Sequence, residues 1–377
     1  MKSRFSASEA APRRVLLVCL RRLGDLLLAS ALIRSARQAW PDARIDVLTF
    51  ASTAAALTGN ADVTTLIALP TRGPEWLRVL WPRFRHYDLA LAMQDSDRAH
   101  LVARWCGRRA GGILPSAGEP GRVWKQSLMT PTFTPEAGQH AVVRYLRLAD
   151  AVGIPRAAGP RPPRPASTAK LDLLLGPGWA GLPTAVVHPV PMYVYKAWRR
   201  EGWRDCIRWL LAQGLRVCIT GGPAPAERAY VDDVLAGFRP QPEGRLIDLC
   251  GSLQFAELTP LIESARVFIG PDTSVTHLAA ATGTPTVALF GPSDPVVWGP
   301  WPADGSSRAD SPWQRTAPLQ KAGNVTLLQG AHGRFGPCIP CLQEGCERNR
   351  QSVSDCLVSL PSSRVIEVLE GLLRSAA

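Results

Sequence analysis

The stretch VLLVCLRRLGDLLLASALIRSA (residues 15–36) decides the fold. Its first six residues are apolar and include two valines, the pattern of a strand buried on both faces. Two arginines and Leu-Gly follow. From Asp25 a Leu/Ala-rich run then predicts a helix over 25–39, stopped by Pro41. Strand, tight turn, helix is the first half of a βαβ unit. Asp25 falls in the first turn of that helix, where the positive dipole end favours a carboxylate. Position alone therefore accounts for Asp25 as a helix-start residue and leaves a chemical role open.

The alternation continues outward. RIDVLTF (44–50), TTLIAL (64–69) and YDLALAM (87–93) read as strands, and 74–85, 96–106 and 138–152 as helices. Such alternation implies a doubly wound parallel α/β sheet. IPRAAGPRPPRPASTAK (154–170) then places five prolines in seventeen residues and reads as a semi-rigid linker. Beyond it the pattern restarts, with strand-like runs in TAVVHP (184–189), LRVCITGG (215–222), RLIDLCG (245–251), RVFIGPDTS (266–274) and TPTVALFGP (284–292). Helical patterns separate them at 199–213, 225–236, 255–265 and 275–282, with a closing helix at 361–374. Two α/β domains, 1–160 and 161–377, are expected, their strand carboxyl ends facing a cleft where ligands of open sheets bind. Neither GxxxxGK[ST] nor GxGxxG occurs.

No apolar run approaches the roughly eighteen residues needed to span a bilayer. Arg13, Arg14, Arg21 and Arg22 interrupt the one apolar segment near the N-terminus, which points to a cytosolic protein rather than a secreted one. Of nine cysteines, Cys19, Cys218 and Cys250 lie in or beside strand-like runs as small core residues. The net charge of +12 is uneven: residues 1–165 hold 24 basic and 12 acidic side chains, and the remainder hold 19 of each. A basic first half suits a partner bearing phosphate or an anionic surface, or it is simply a well-solvated arginine-rich face.

Three strand-to-helix turns of the second half carry polar groups. In FIGPDTSVTHLAAATGTPTVALFGPSDP (268–295), Asp272, Thr273 and Ser274 sit at a helix start whose free N–H groups suit phosphate, and His277 lies one turn further on. HPVPMYVYKAWRREGW (188–203) contains Lys196, one of only 5 lysines against 38 arginines, a compact charge for a phosphate oxygen. ITGGPAPAER (219–228) pairs Gly221-Gly222 with Glu227, a carboxylate that suits ribose hydroxyls or simply the helix start. Together they suggest a nucleotide.

RRLGDLLL, Lys196-x-Trp198, the Gly-Gly turn with Glu227, and GPDTSVTHLAAATGTPTVALFGPSDP stand in order along nearly the whole chain. In this the sequence resembles the ADP-heptose:lipopolysaccharide heptosyltransferases, glycosyltransferase family 9, inverting enzymes of the GT-B fold. WPDARIDVLTF, YKAW and the Trp298–Trp301 pattern are most similar to the heptosyltransferase III group of the inner core. The resemblance implies an ADP-L-glycero-D-manno-heptose donor on the second domain and a phosphorylated lipopolysaccharide core acceptor on the first. It implies a general base at Asp25, donor phosphate contact at Lys196 and ribose contact at Glu227. Asp272, Thr273, Ser274 and His277 would line the sugar and pyrophosphate, while Arg21, Arg22 and Asp95 are candidate acceptor contacts. A cytoplasmic enzyme peripheral to the inner face of the inner membrane follows, with an anionic membrane surface as partner, no nucleic acid, no cofactor and no catalytic metal. The sequence departs from relatives at Val190 and Met192, where they carry hydroxyl or arginine donors, and at Ala31, where they carry proline. The first departure keeps another sugar nucleotide, or a protein acceptor, as an alternative.

Two further motifs remain. Asp95-Ser96-Asp97 matches the D-x-D of metal-dependent glycosyltransferases and is read as a chance match. Cys338, Cys341, Cys346 and Cys356 (C-x2-C-x4-C-x9-C) are either a structural zinc site or free thiols. The zinc reading carries with it a remote alternative of a basic nucleic-acid binder, against which the tail lacks interleaved aromatic and basic residues.

Overall fold

The computed structural model describes residues 11–157, 159–238, 244–305, 310–331, 336 and 338–375. They fall into two compact units. The first runs to Pro163 and includes Gly305, Asp310 and Ser311; the second comprises Arg164–Asp304 and the chain from Pro312.

The first unit holds β1 (Arg14–Cys19), β2 (Arg44–Phe50), β3 (Thr65–Leu69), β4 (Tyr87–Ala92), β5 (Gly107–Ile113) and β6 (Thr132–Phe133). They form one parallel sheet in the order β3-β2-β1-β4-β5-β6. β1 is central and, beyond Arg14, fully buried, which is why its sequence does not alternate. Helices Leu23–Ala39 and Ala141–Val152 pack against each other. The winding reverses between β1 and β4, leaving the carboxyl ends of that pair uncovered.

β5 was not evident in the sequence, because GRRAGGI has neither alternation nor a β-branched run. Its glycines answer to close approach instead. A Cβ on Gly112 would lie 2.6 Å from the carbonyl oxygen of Ala92 on β4, and one on Gly111 would lie 2.2 Å from that of Pro131. The helix expected over 74–85 ends at Leu80 and continues only as a 3-10 turn, Trp81–Arg83, where Pro82 has no N–H to give. The proline-rich segment is pinned to the first helix, Ser35 Oγ accepting from Ala157 N–H at 3.0 Å and Ser30 Oγ from Arg161 N–H at 2.8 Å. Its last residues begin a helix, Ala169–Leu175, a correction to the expected linker end.

The second unit holds β7 (Thr184–Val187), β8 (Arg216–Ile219), β9 (Leu246–Asp248), β10 (Val267–Pro271), β11 (Thr286–Phe290), β12 (Leu319–Ala322) and β13 (Val325–Gln329). The order is β12-β13-β11-β10-β7-β8-β9, parallel throughout except for β12, which runs antiparallel at the edge. Without β12 it repeats the first sheet, with the reversal now between β7 and β10. The core of this unit includes Trp198 and Trp203, edge to face at 4.9 Å.

The C-terminal segment closes behind the Lys196 loop. Ser354 Oγ donates to the Tyr195 carbonyl at 2.6 Å, Trp198 Nε1 to the Leu360 carbonyl at 2.9 Å, and Ser362 Oγ to Asp205 at 2.7 Å. This docking needs a glycine at the end of β13, since a Cβ on Gly330 would lie 2.0 Å from the Cys356 carbonyl oxygen. Gly330→Ala is expected to lower the unfolding free energy by about 1–3 kcal/mol, the usual cost of overpacking, measured by urea denaturation.

Candidate functional site

At the first reversal, β1 passes through Leu20–Arg22 into the helix Leu23–Ala39. Asp25 is that helix's third residue, and its carboxylate accepts a hydrogen bond from the backbone of Arg22, half of a capping box. Gln94, just beyond β4, fastens the two strand ends together. Its Oε1 accepts from Leu20 N–H at 2.7 Å and its Nε2 donates to Ser96 Oγ at 2.7 Å. Arg21 Nη2 pairs with Asp95 Oδ1 at 2.9 Å, and Tyr145 O–H donates to the Asp25 carbonyl at 3.4 Å.

Neither acid of the Asp95-Ser96-Asp97 motif is idle. Asp95 holds Arg21, and Asp97 accepts from the buried Lys125 ammonium at 2.7 Å. Lys125 also donates to the Asp95 carbonyl at 2.6 Å, and Ser96 caps the helix Asp97–Cys106. An open pocket of about 250 Å³ lies here, lined by Asp95, Asp97, Glu119 and Lys125 among others. Carboxylates around an open hollow accept hydrogen bonds from hydroxyl groups.

Burial raises the pKa of Asp25 above the ordinary aspartate range, and Arg21, Arg22 and Arg144 pull part of the way back. The group is a stronger base than a free aspartate, yet still carries compensating positive charge nearby.

At the second reversal, β7 leads through His188 to a 3-10 turn ending at Lys196, and β10 leads to Asp272 and the helix Ser274–Thr282. The structure brings three of the expected residues together. Lys196 Nζ lies 2.5 Å from Asp272 Oδ2, and His277 Nε2 lies 4.0 Å from Asp272 Oδ1. Burial alone would raise the pKa of Asp272. Lys196, His277 and a hydrogen bond from Ser293 outweigh it and hold the group ionised, below its ordinary value. Burial pushes His277 down to about 4, so its ring is neutral at pH 7. Its Nδ1 is buried with no hydrogen-bond partner among the described residues.

Thr273 has a structural task, its Oγ1 accepting from Thr276 N–H at 3.3 Å as the helix cap. The N–H groups of Ser274 and Val275 have no partner within the helix and point out at its positive end. Glu227 is held beside its own turn, Oε2 accepting from Gly222 N–H at 2.7 Å. A Cβ on Gly222 would meet that same oxygen at 2.7 Å and displace the carboxylate from this position. Of the two departures in the loop, Val190 is buried in the core and Met192 is exposed.

Cys338, Cys341, Cys346 and Cys356 form no disulfide among the described residues. Burial pushes Cys356 up to about 12, with Cys341, Cys346 and Cys338 adding to the effect, and Cys346 Sγ accepts from Asp355 N–H at 3.3 Å. Among the described residues no three His, Cys, Asp or Glu side chains are gathered as a metal ion requires. The zinc reading of the spacing therefore finds no assembled site.

Sequence reasoning missed Gln94, Lys125, Arg144, Tyr145 and Ser293. Lys125 had a signal: it is one of the five lysines, as Lys196 is. Ser293 lies within the quoted 268–295 stretch but was not singled out, and Gln94, Arg144 and Tyr145 lie outside any motif.

His188 offers a second buried imidazole, also pushed down to about 4 by burial and hydrogen-bonded through Nδ1 to Thr220 Oγ1 at 3.0 Å. Both folded-state values lie below the unfolded one of about 6.5, so unfolding takes up protons in that window. Stability is then fully present above pH 6.5 and lost as pH falls towards 4. Urea titrations across pH 4–7 are expected to show this slope, and His277→Gln to reduce it by about one proton.

The chain matches the model of glycosyltransferase family 9 (heptosyltransferase) over residues 82–315. It is 28% identical over 294 residues to lipopolysaccharide heptosyltransferase 3 of Escherichia coli K12, covering 75% of this chain and 83% of that one. Among solved structures it is similar to E. coli ADP-heptose lipopolysaccharide heptosyltransferase II, with a TM-score of 0.73 at 18% identity over 96% of this chain and 99% of that one. The E. coli heptosyltransferase WaaC with ADP-2-deoxy-2-fluoro heptose aligns at a TM-score of 0.67 and 18% identity, over 95% and 99%. These likenesses fix the fold as GT-B.

Proposed function

The chain belongs to glycosyltransferase family 9, and from that membership we propose that it moves heptose from ADP-L-glycero-D-manno-heptose onto the lipopolysaccharide core. The observation that carries the reading is the cluster at the second reversal. Lys196, the helix start at Ser274 and the unsatisfied Nδ1 of His277 converge around a buried, ionised Asp272. A fixed ammonium and a helix amino end match a diphosphate, and a neutral imidazole with a spare ring nitrogen matches a sugar hydroxyl. Glu227, in the first turn of the helix Pro225–Ala236 that follows β8, is assigned to ribose. Relatives of known structure were solved as ADP-heptose enzymes, one with a fluorinated donor analogue.

The first unit then binds the acceptor and supplies the base. Asp25 removes the proton of the acceptor hydroxyl as its oxygen attacks the anomeric carbon; the bond from that carbon to the diphosphate breaks, and ADP departs with its electron pair. The single displacement inverts the anomeric centre. The growing charge on ADP falls to Lys196 and the helix amino end, so the step uses no divalent ion. Arg21, Arg22 and the acidic hollow at Asp95 are assigned to a phosphorylated saccharide acceptor at the inner face of the inner membrane. No described helix is long and apolar enough to cross a membrane.

The test is the mass of the core oligosaccharide from a strain lacking this protein. Loss of one heptose supports the reading and an unchanged core refutes it. For the donor, a larger thermal shift with UDP- or GDP-sugars than with ADP-heptose would favour the alternative nucleotide that Val190 and Met192 leave open.

Asp25→Ala is expected to lower turnover by roughly 10²–10⁴-fold while leaving the Kd for ADP-heptose unchanged. Loss of donor binding as well would make the carboxylate structural. Asp95→Asn frees Arg21 from its 2.9 Å partner and lets its charge act on Asp25. The acid limb of the pH–kcat/KM profile should then move to lower pH, because a nearer cation lowers a carboxylate pKa.

A further inference from the structure

Away from both strand-end sites, the first unit carries an apolar surface that its core does not use. The helix Glu75–Leu80 and the turn Trp81–Arg83 pack beside the helix Asp97–Cys106. Leu77 and Trp81 are four residues apart on one side, Leu101 and Trp105 four apart on the other, so each pair points the same way. Leu77 is 69% exposed, Trp81 71%, Phe84 56% and Leu101 59%. The rings are contiguous, Phe84 lying 4.7 Å and Trp81 6.0 Å from Trp105 between centroids.

This surface is held in place. Trp105 Nε1 donates to the Leu80 carbonyl at 3.0 Å, and Arg85 N–H donates to the Trp105 carbonyl at 2.9 Å. Arginines rim it. Arg78, Arg85, Arg98, Arg104 and Arg108 are exposed, against the exposed Glu75 and the Asp88 that pairs with Arg108 at 3.8 Å. Arg78, Arg85 and Arg104 have no ion pair among the described residues.

We propose that this face of the first unit rests on an anionic phospholipid bilayer. Trp81, Phe84 and Trp105 would sit at the boundary of headgroups and acyl chains, with the arginine rim on lipid phosphates. Aromatic rings rimmed by cations are the chemistry of monotopic binding, and each cation near such a surface adds attraction. A second copy of the chain fits poorly, because a two-fold contact would set one arginine rim against another.

The patch gathers at the amino end of β4, and Asp95 lies beyond its carboxyl end. Six residues of strand span about 20 Å. A protein seated on this patch therefore presents its acceptor-side residues at a stand-off suited to a hydroxyl several sugar units out from the lipid. The inference rests on the lipid-borne acceptor proposed above.

The experiment is co-sedimentation of the full chain with vesicles. The chain should bind phosphatidylglycerol/phosphatidylethanolamine vesicles in a salt-sensitive way and bind phosphatidylcholine vesicles weakly. The double variant Trp81→Ser/Phe84→Ser, and separately Arg78→Glu/Arg104→Glu, should each lose about tenfold or more in binding with unchanged melting temperature. Transfer to vesicle-embedded acceptor should fall with it, while transfer to a delipidated core oligosaccharide stays at the wild-type rate. Undiminished vesicle binding by both variants, equal binding to phosphatidylcholine, or a change from dimer to monomer in the variants would overturn the proposal. Absence of transfer to either acceptor by the wild type would refute the proposed activity, and vesicle binding would still decide the surface.

Discussion

Right-handed crossovers decide where this protein can do chemistry. A parallel sheet wound outward in both directions from a central pair of strands covers every other strand end with its own connections. It leaves the carboxyl ends of the central pair open. Both sheets obey this, β1 and β4 in one, β7 and β10 in the other. The Arg21–Asp95 and Lys196–Asp272 pairs each bridge the two strand ends at such an opening. Beyond Arg14, the residues of β1, β7 and β10 are themselves uncharged, and the charges stand just past their carboxyl ends.

Two aspartates at these openings are driven in opposite directions. Asp25 is partly buried among arginines that do not outweigh its desolvation, and its pKa rises. Asp272 is more deeply buried, yet an ammonium at contact distance reverses the sign. The same side chain thus has its proton affinity raised in one unit and lowered in the other. Separating such values is how one fold assigns acid, base and anchor roles.

Much of this was legible in the sequence, for a physical reason: strands buried on both faces read as unbroken apolar runs, and helix starts announce themselves through caps. β1 to β4 and the Asp272–His277 helix start belong to that class. What escaped notice is equally specific. β5 is a strand because its glycines fit against Ala92 and Pro131, a tertiary condition no local pattern encodes. β12 and β13 lie between the last strand-like run and the closing helix, where the sequence pattern placed no element. Lys196 and Asp272 were each evident as candidates, but their pairing joins residues 76 apart and appears only when β7 and β10 become neighbours. The cysteine spacing left a zinc site and free thiols both open; what no spacing conveys is the packing of Cys356 behind Gly291 and Gly330, which makes the segment a wedge.

That wedge has a dynamic consequence. Tyr195 and Trp198 flank Lys196 in the chain, and each is tied to the C-terminal segment, through Ser354 and the Leu360 carbonyl. The Lys196 loop and the segment from Cys346 to Leu360 therefore cannot open independently. These two hydrogen bonds couple opening of the loop to opening of the segment, across 159 and 162 residues of chain. Motion at the Lys196 ammonium is in this sense governed by the stability of the segment that holds Ser354 and Leu360.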